Sequence, residues 1–176
     1  MMLSCEALLR RLRWLTAFVI VGLVFSGLTA IPLPTEVKWL VGLMGGSSND
    51  QASAPIGHWL SKVQGGLDAA AVNWPFLFYG TDWLAFGHLA IALAFVGAWR
   101  DPVRNRWLYT FGLITSALVI PWALAFGAAR GIPLWWRAID CSFGILAFLP
   151  LWYCRRWARE LDRESGCAAG PGGETV

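Results

Sequence analysis

Four long apolar stretches, separated by charged or turn-forming segments, organise this chain. They cover residues 14–31, 76–99, 103–127 and 134–153. A hydrocarbon core of about 30 Å is crossed by roughly 20 apolar residues in an α-helix, and each stretch is close to that length or longer. The pattern therefore predicts an all-α fold, namely an integral membrane four-helix bundle.

The fourth stretch contains two charged residues near its N-terminal end. Trp135 and Trp136 suit the headgroup level of a bilayer. Arg137 and Asp140 follow, three positions apart, so they share a helix face and can pair. A carboxylate inside a span is costly unless it is paired, protonated or turned to the bundle interior. Two interpretations stay open: a polar pocket near the outer surface, or a self-satisfied Arg–Asp pair that orients the helix.

The second stretch also contains ionisable residues. Asp82 lies near its start, where a carboxylate favours the positive end of a helix. His88 lies about 9 Å further along, near mid-membrane, without a polar neighbour three or four positions away. We expect His88 to meet a partner on another helix, a water or a cofactor. It is either a ligand or proton-transfer group, or a neutral histidine bonded to a carbonyl across a helix interface.

A long connection, residues 33–75, separates the first two stretches and is predicted to be extracytoplasmic. Glu36 to Met44 is a short apolar piece, and residues 45–50 are typical of a flexible turn. Apolar residues recur at helical spacing from Pro55 to about Val72, which predicts one amphipathic helix. Its His58 fits a solvated side chain better than a ligand. A connection of this length suits a cap over the bundle or a docking surface.

Turn signals bound the third stretch. Residues 100–106 predict a tight hairpin, with Asp101 as N-cap and Pro102 as the first helical position. Pro121 lies inside the stretch, where a proline frees a carbonyl and kinks a helix. Arg130 follows at the helix end, where a cation favours the last carbonyls.

The first stretch follows a short basic segment, as in a signal peptide. Its apolar run is long and its small-residue cleavage signal is poor, so we expect an uncleaved first span. Gly22, Ser26 and Gly27 within it would allow close helix contact.

Composition agrees with a membrane location. The chain has 176 residues, of which 57% are hydrophobic and 14% are charged, whereas soluble domains carry about 25% charged residues. The mean hydropathy is +0.53. The net charge of +3 does not indicate a nucleic-acid partner, because the basic residues cluster at the ends of the stretches.

The distribution of Lys and Arg predicts the orientation. The N-terminus, the 100–106 hairpin and the C-terminal segment hold ten of these residues, and the remaining segments hold four. The positive-inside rule therefore places both termini in the cytoplasm. We expect one transmembrane domain, residues 1–165, and a disordered Gly/Ala-rich tail, residues 166–176.

The four cysteines, at positions 5, 141, 154 and 167, have no spacing typical of a zinc site. Three fall on the predicted cytoplasmic side, where thiols stay reduced. A catalytic dithiol is therefore disfavoured.

Four short sequences resemble small bacterial four-helix integral membrane proteins with no established activity. They are residues 79–86 (YGTDWLAF) with His88 after them, residues 101–105 (DPVRN), residues 130–133 (RGIP) and residues 139–144 (IDCSFG). The resemblance implies a four-span fold in the bacterial cytoplasmic (inner) membrane. It supplies no activity or catalytic residue.

The sequence favours a non-enzymatic protein that binds a ligand, a lipid or a partner such as another membrane protein or a second copy. It lacks a nucleophile–base pair, a phosphate loop and a full set of metal ligands. The predicted site is an outer-leaflet polar pocket lined by Asp82, His88, Arg130, Arg137 and Asp140.

Two alternatives belong to other classes. In a haem- or quinone-linked redox component, His88 would be an axial haem ligand and the many aromatic residues could surround a quinone, although a bis-His haem needs a second intramembrane histidine that the sequence lacks. A small proton-coupled transporter would relay protons through Asp140 and His88. No cofactor is predicted for the favoured function.

Overall fold

The computed structural model describes residues 5–43 and 55–168, with side chains up to residue 163. In this part of the chain the protein is all-α. Its six helices are α1 (Cys5–Ala30), α2 (Leu33–Leu43), α3 (Pro55–Asn73), α4 (Tyr79–Arg100), α5 (Arg106–Ala129) and α6 (Leu134–Ala168), and a 3-10 turn (Pro75–Phe78) precedes α4. The predicted flexible turn at residues 45–50 lies outside the described residues.

Four helical segments in the described ranges are long and apolar enough to cross a membrane. They are Cys5–Ala30, Pro75–Arg100, Arg106–Ala129 and Leu134–Arg163. Only 11–22% of the most apolar window in each is buried within the protein, so most of these residues keep some exposed surface. This is compatible with a multi-pass membrane protein, and it confirms the prediction of four long apolar helices.

The first helix begins earlier than the apolar pattern suggested. It starts at Cys5 rather than near residue 14, so the basic segment with Arg10 and Arg13 is helical. This places those cations on a regular helix surface, with residues three or four positions apart on the same face.

The start of α5 differs from the predicted N-cap. The helix begins at Arg106, after Asn105, rather than at Pro102. Asp101 Oδ1 accepts a hydrogen bond from the Arg104 backbone N–H at 3.0 Å, and Asn105 Nδ2 donates to the carbonyls of Gly97 and Asp101 at 3.0 Å each. Asp101 therefore closes the turn between α4 and α5, and does not cap α5 as predicted.

The last helix is longer than its apolar stretch. It continues to Ala168, three residues into the tail that was predicted to be disordered, and residues 169–176 lie outside the described part. Pro121 in α5 and Pro150 in α6 lie inside helices that continue on both sides of them.

The long connection forms two helices that contact each other, α2 and α3. The predicted helix from Pro55 is confirmed and ends at Asn73. Val37 of α2 and Leu60 of α3 are buried, so this segment has a small apolar core of its own. The extracytoplasmic location of the segment stays a prediction.

Where the sequence suggested one domain, contacts divide the chain into two compact units. The first unit holds the described residues of Met1–Gly22 and Ala92–Val176, and the second holds those of Leu23–Ile91. The first unit thus contains the start of α1, the end of α4, and all of α5 and α6. The second contains the end of α1, α2, α3 and the start of α4.

Small residues allow close helix packing in both units. In the first, a Cβ on Gly144 of α6 would lie 2.6 Å from the Ser116 carbonyl oxygen of α5. In the second, a Cβ on Gly27 of α1 would lie 3.0 Å from the Ala85 carbonyl oxygen of α4. Small residues are the usual device for such approaches between spans. Gly22, the other glycine predicted for this role, has no such neighbour within 4 Å.

The contact between α5 and α6 predicts the effect of a single methyl group. We expect Gly144→Ala to lower the free energy of unfolding by about 1–3 kcal/mol, because the methyl meets backbone and the helices must separate. Gly87→Ala is the matched control, since a Cβ there meets nothing within 4 Å and alanine favours a helix. Thermal unfolding in detergent measures both variants. Equal stability of the two would contradict the close packing.

Candidate functional site

The polar end of the α5–α6 pair depends on a tight turn. Gly131 has a φ of +68°, a left-handed conformation that favours glycine. The backbone N–H of Ile132 then donates to the Gly127 carbonyl at 2.9 Å, which satisfies a carbonyl at the end of α5. The chain reverses here, so the start of α6 lies beside the end of α5. Arg130 is exposed at this turn.

Arg137 is held at the end of α5. Its methylene stem packs against Gly127, where any Cβ would collide with it. Its Nη1 donates a hydrogen bond to the Leu124 carbonyl at 3.2 Å. A cation near the last carbonyls of a helix is favourable, so this side chain stabilises the end of α5. Its Nε is buried without a hydrogen-bond partner in the described structure.

Asp140 lies one turn further along α6 and is half-buried. The ion pairs among the described side chains are Arg106–Asp162 and Arg156–Glu160. The alternative of a self-satisfied Arg137–Asp140 pair is therefore not what the structure contains. The Arg137 guanidinium instead donates a hydrogen bond to the Leu124 carbonyl. The Asp140 carboxylate therefore has no cationic partner among the described residues.

Asp82 lies in the first turn of α4 and is exposed. The 3-10 turn before it contributes the Phe78 carbonyl, which accepts a hydrogen bond from Thr81 Oγ1 at 2.7 Å. The position of Asp82 agrees with its expected role at the positive end of a helix.

His88 finds its partner within its own helix. Its Nδ1 lies 2.8 Å from the Leu84 carbonyl, one turn earlier in α4. Because a carbonyl only accepts, Nδ1 is the donor, and in a neutral ring Nε2 would then hold the lone pair. The expected partner on another helix, water or cofactor would have to meet the other ring nitrogen, Nε2, and it stays a prediction. Sequence spacing missed this bond because it compares side chains, whereas the acceptor is backbone.

The five predicted site residues divide between the two units. Asp82 and His88 belong to the second, and Arg130, Arg137 and Asp140 belong to the first. The α5–α6 turn brings the latter three to the same end of the helix pair. His58, as expected for a solvated residue, is exposed on α3.

The structure also contains a buried polar cluster that the sequence analysis missed. Thr16 of α1, Tyr109 of α5 and Cys154 of α6 are each fully buried. Thr16 Oγ1 lies 2.9 Å from Tyr109 Oη, and either hydroxyl can donate. Cys154 Sγ lies 3.8 Å from Thr16 Oγ1. We call these three residues the polar core.

Backbone carbonyls complete the polar core. Tyr109 Oη lies 3.2 Å from the Ala98 carbonyl near the end of α4. Thr16 Oγ1 lies 2.9 Å from the Leu12 carbonyl, and Cys154 Sγ lies 3.8 Å from the same carbonyl. Four helical segments thus meet at one small hydrogen-bonded group. No sequence pattern indicates this cluster, because its members come from separate stretches and have no shared spacing.

Comparison of the chain with protein-family models, with curated proteins and with solved structures finds no match. The resemblance to small bacterial four-helix membrane proteins therefore stays a prediction.

The polar core predicts a specific loss of stability. We expect Tyr109→Phe to lower the free energy of unfolding by about 1–3 kcal/mol, because it leaves buried oxygens of Thr16 and Ala98 short of a partner. Tyr153→Phe is the matched control, since Tyr153 is 43% exposed and should tolerate the change. Thermal unfolding in detergent compares the two, and the prediction fails if both variants melt with the native protein.

Proposed function

We propose that this chain is a small multi-pass four-helix protein of the bacterial cytoplasmic (inner) membrane, and that it binds a ligand, lipid or partner rather than catalysing a reaction. Four segments of sufficient length and apolarity support the membrane location. The excess of Lys and Arg in the terminal and 100–106 segments supports cytoplasmic termini.

The proposal rests on the surroundings of the Asp140 carboxylate. Its carboxylate is half-buried on α6, and the guanidinium nearest in sequence, that of Arg137, is engaged with the Leu124 carbonyl. An intramembrane carboxylate is costly when it lacks a partner. A cationic group from outside the described chain would compensate it. We propose that this group belongs to the bound molecule, as an ammonium of a ligand or lipid headgroup, or as a Lys or Arg of a partner.

The proposed site lies at the polar end of the α5–α6 pair. Arg137 forms its fixed wall, because both its stem and its Nη1 are held by α5. Arg130 supplies a second, exposed cation at the turn, which would orient a bound molecule that also carries an acidic group. Asp82 and His88 stay predictions as site residues, and proton-coupled transport stays a prediction as an activity.

Replacing Asp140 separates a binding role from a structural one. We expect Asp140→Asn to lose the bound molecule, because the amide carries no charge to pair with a cation. Once the bound molecule has been removed from both proteins by extensive detergent washing, the melting temperature of the variant should equal or exceed that of the native protein, since a costly charge has left the span. Native mass spectrometry after purification in mild detergent detects the adduct, and thermal unfolding measures the stability.

Asp68→Asn is the matched control, because Asp68 is an exposed carboxylate on α3. It should keep the adduct. The proposal is contradicted if all three proteins carry the same adducts, if the native protein carries none, or if Asp140→Asn melts at a lower temperature than the native protein when both are free of the adduct.

The geometry of His88 favours one second candidate function, a haem-linked redox component. With Nδ1 donating to the Leu84 carbonyl, the tautomer is fixed and Nε2 is available to a metal. An axial histidine commonly has its other ring nitrogen bonded to a carbonyl in this way. In the described residues no three His, Cys, Asp or Glu side chains group as a metal site, so the remaining coordination of the iron would come from the haem and a further ligand.

Visible absorption spectra of the purified protein, oxidised and reduced, test this candidate. Haem binding predicts a Soret band with redox-sensitive visible bands, lost in His88→Ala and kept in His58→Ala, whose exposed side chain lies on α3. A spectrum with tryptophan absorbance alone rejects haem and leaves the binding function as the proposal.

A further inference from the structure

A cleft of about 500 Å³ opens on the first unit, between the beginning of α1 and the end of α4. Its lining residues are Glu6, Leu9, Arg10, Arg13, Trp14 and Ala17 of α1, together with Trp99 of α4. The α1 residues recur at intervals of three or four, so they form one face of that helix. The cleft exists because the basic N-terminal segment is helical.

The chemistry of the cleft changes along its length. The charged residues Glu6, Arg10 and Arg13 occupy its beginning, and Trp14 and Ala17 follow towards the apolar part of α1. From Glu6 to Ala17 the axis advances about 16 Å. A groove that is charged at one end and apolar at the other, along a spanning helix, matches the layout of a phospholipid across one leaflet.

Both walls carry tryptophan at the level where charge gives way to apolar surface. Trp14 is 73% exposed and Trp99 is 41% exposed, so both indoles have surface available to a lipid. Tryptophan prefers this level of a bilayer, between headgroup and acyl chains. The walls therefore place the charged end of the cleft at headgroup depth.

The two arginines are available to an anion. Arg13 Nη2 lies 3.5 Å from the Arg100 carbonyl at the end of α4, which keeps its guanidinium beside the cleft. Arg10 forms no ion pair or side-chain hydrogen bond within the described ranges, and Glu6, four positions earlier, does not pair with it. The cleft thus offers two guanidinium groups against one carboxylate.

We propose that this cleft binds one anionic phospholipid, with its phosphate between Arg10 and Arg13 and an acyl chain along Trp14 and Ala17. Guanidinium groups recognise phosphate through charge and paired hydrogen bonds. Basic pockets at the cytoplasmic ends of spans bind anionic headgroups in this manner, and the positive-inside pattern predicts this end of α1 to be cytoplasmic. The proposal is independent of the site at Asp140.

Native mass spectrometry of the full chain in detergent, titrated with phosphatidylglycerol or phosphatidylcholine, tests the proposal. We expect the native protein to prefer phosphatidylglycerol by at least about tenfold, because each nearby arginine strengthens attraction to an anionic lipid. The double variant Arg10→Gln, Arg13→Gln should lose this preference. The double variant Arg10→Lys, Arg13→Lys should retain most of it.

The matched control is Arg104→Gln with Arg159→Gln, which removes the same charge from exposed sites outside the cleft. It should keep the preference. If the Gln double variant unfolds through loss of the Arg13 contact, the single Arg10→Gln variant carries the test.

Three results would overturn the proposal. One is equal binding of the two lipids by the native protein. Another is an equal loss of preference in the cleft and control variants, which would indicate general electrostatic attraction. The third is displacement of the lipid by millimolar inorganic phosphate, which would assign the cleft to the free anion.

Discussion

The hydrogen bonds among Thr16, Tyr109 and Cys154 are the constraint on which the first unit depends. Apolar spans in a lipid bilayer gain little from hiding apolar surface, because the lipid is equally apolar. Their association therefore relies on polar contacts and close packing. The polar core connects α1, α5 and α6 and reaches a carbonyl of α4, so it fixes which faces of these helices meet. Gly144 and Gly112 then let α5 and α6 approach closely along their length.

Specific contacts also determine how the charged side chains are used at the α5–α6 turn and at the beginning of α1. At the α5–α6 turn, Arg137 is used to stabilise the end of α5, so Asp140 remains without a cationic partner among the described side chains. At the beginning of α1, the arginines stay on the surface beside tryptophans. In the first unit, therefore, some charged side chains stabilise the fold, as Arg137 does, and others, such as Asp140 and Arg10, form no ion pair among the described residues.

Much of the fold was predictable from the sequence, and the failures share one cause. The four long helices were predicted from the length of the apolar stretches, and the helix of residues 55–73 was predicted from the helical spacing of its apolar residues. The predictions for Asp101, His88 and the Arg137–Asp140 pair depended on which partner a polar group selects, and in each case a backbone group was involved. Position along a helix shows which side chains share a face or lie near a helix end, but it does not show which backbone carbonyl or amide a polar group will select.

The helical class, the four apolar segments and the uneven distribution of basic residues all follow from the amino-acid sequence. These are local properties of the chain, because the length of an apolar stretch, its helical periodicity and the position of its flanking charges do not depend on distant residues. Tertiary structure alone decided the polar core, the division into two units, the engagement of Arg137 with α5 and the cleft beside Arg10 and Arg13. Each joins residues far apart in the chain, and such contacts are set by the rotation and approach of helices in three dimensions.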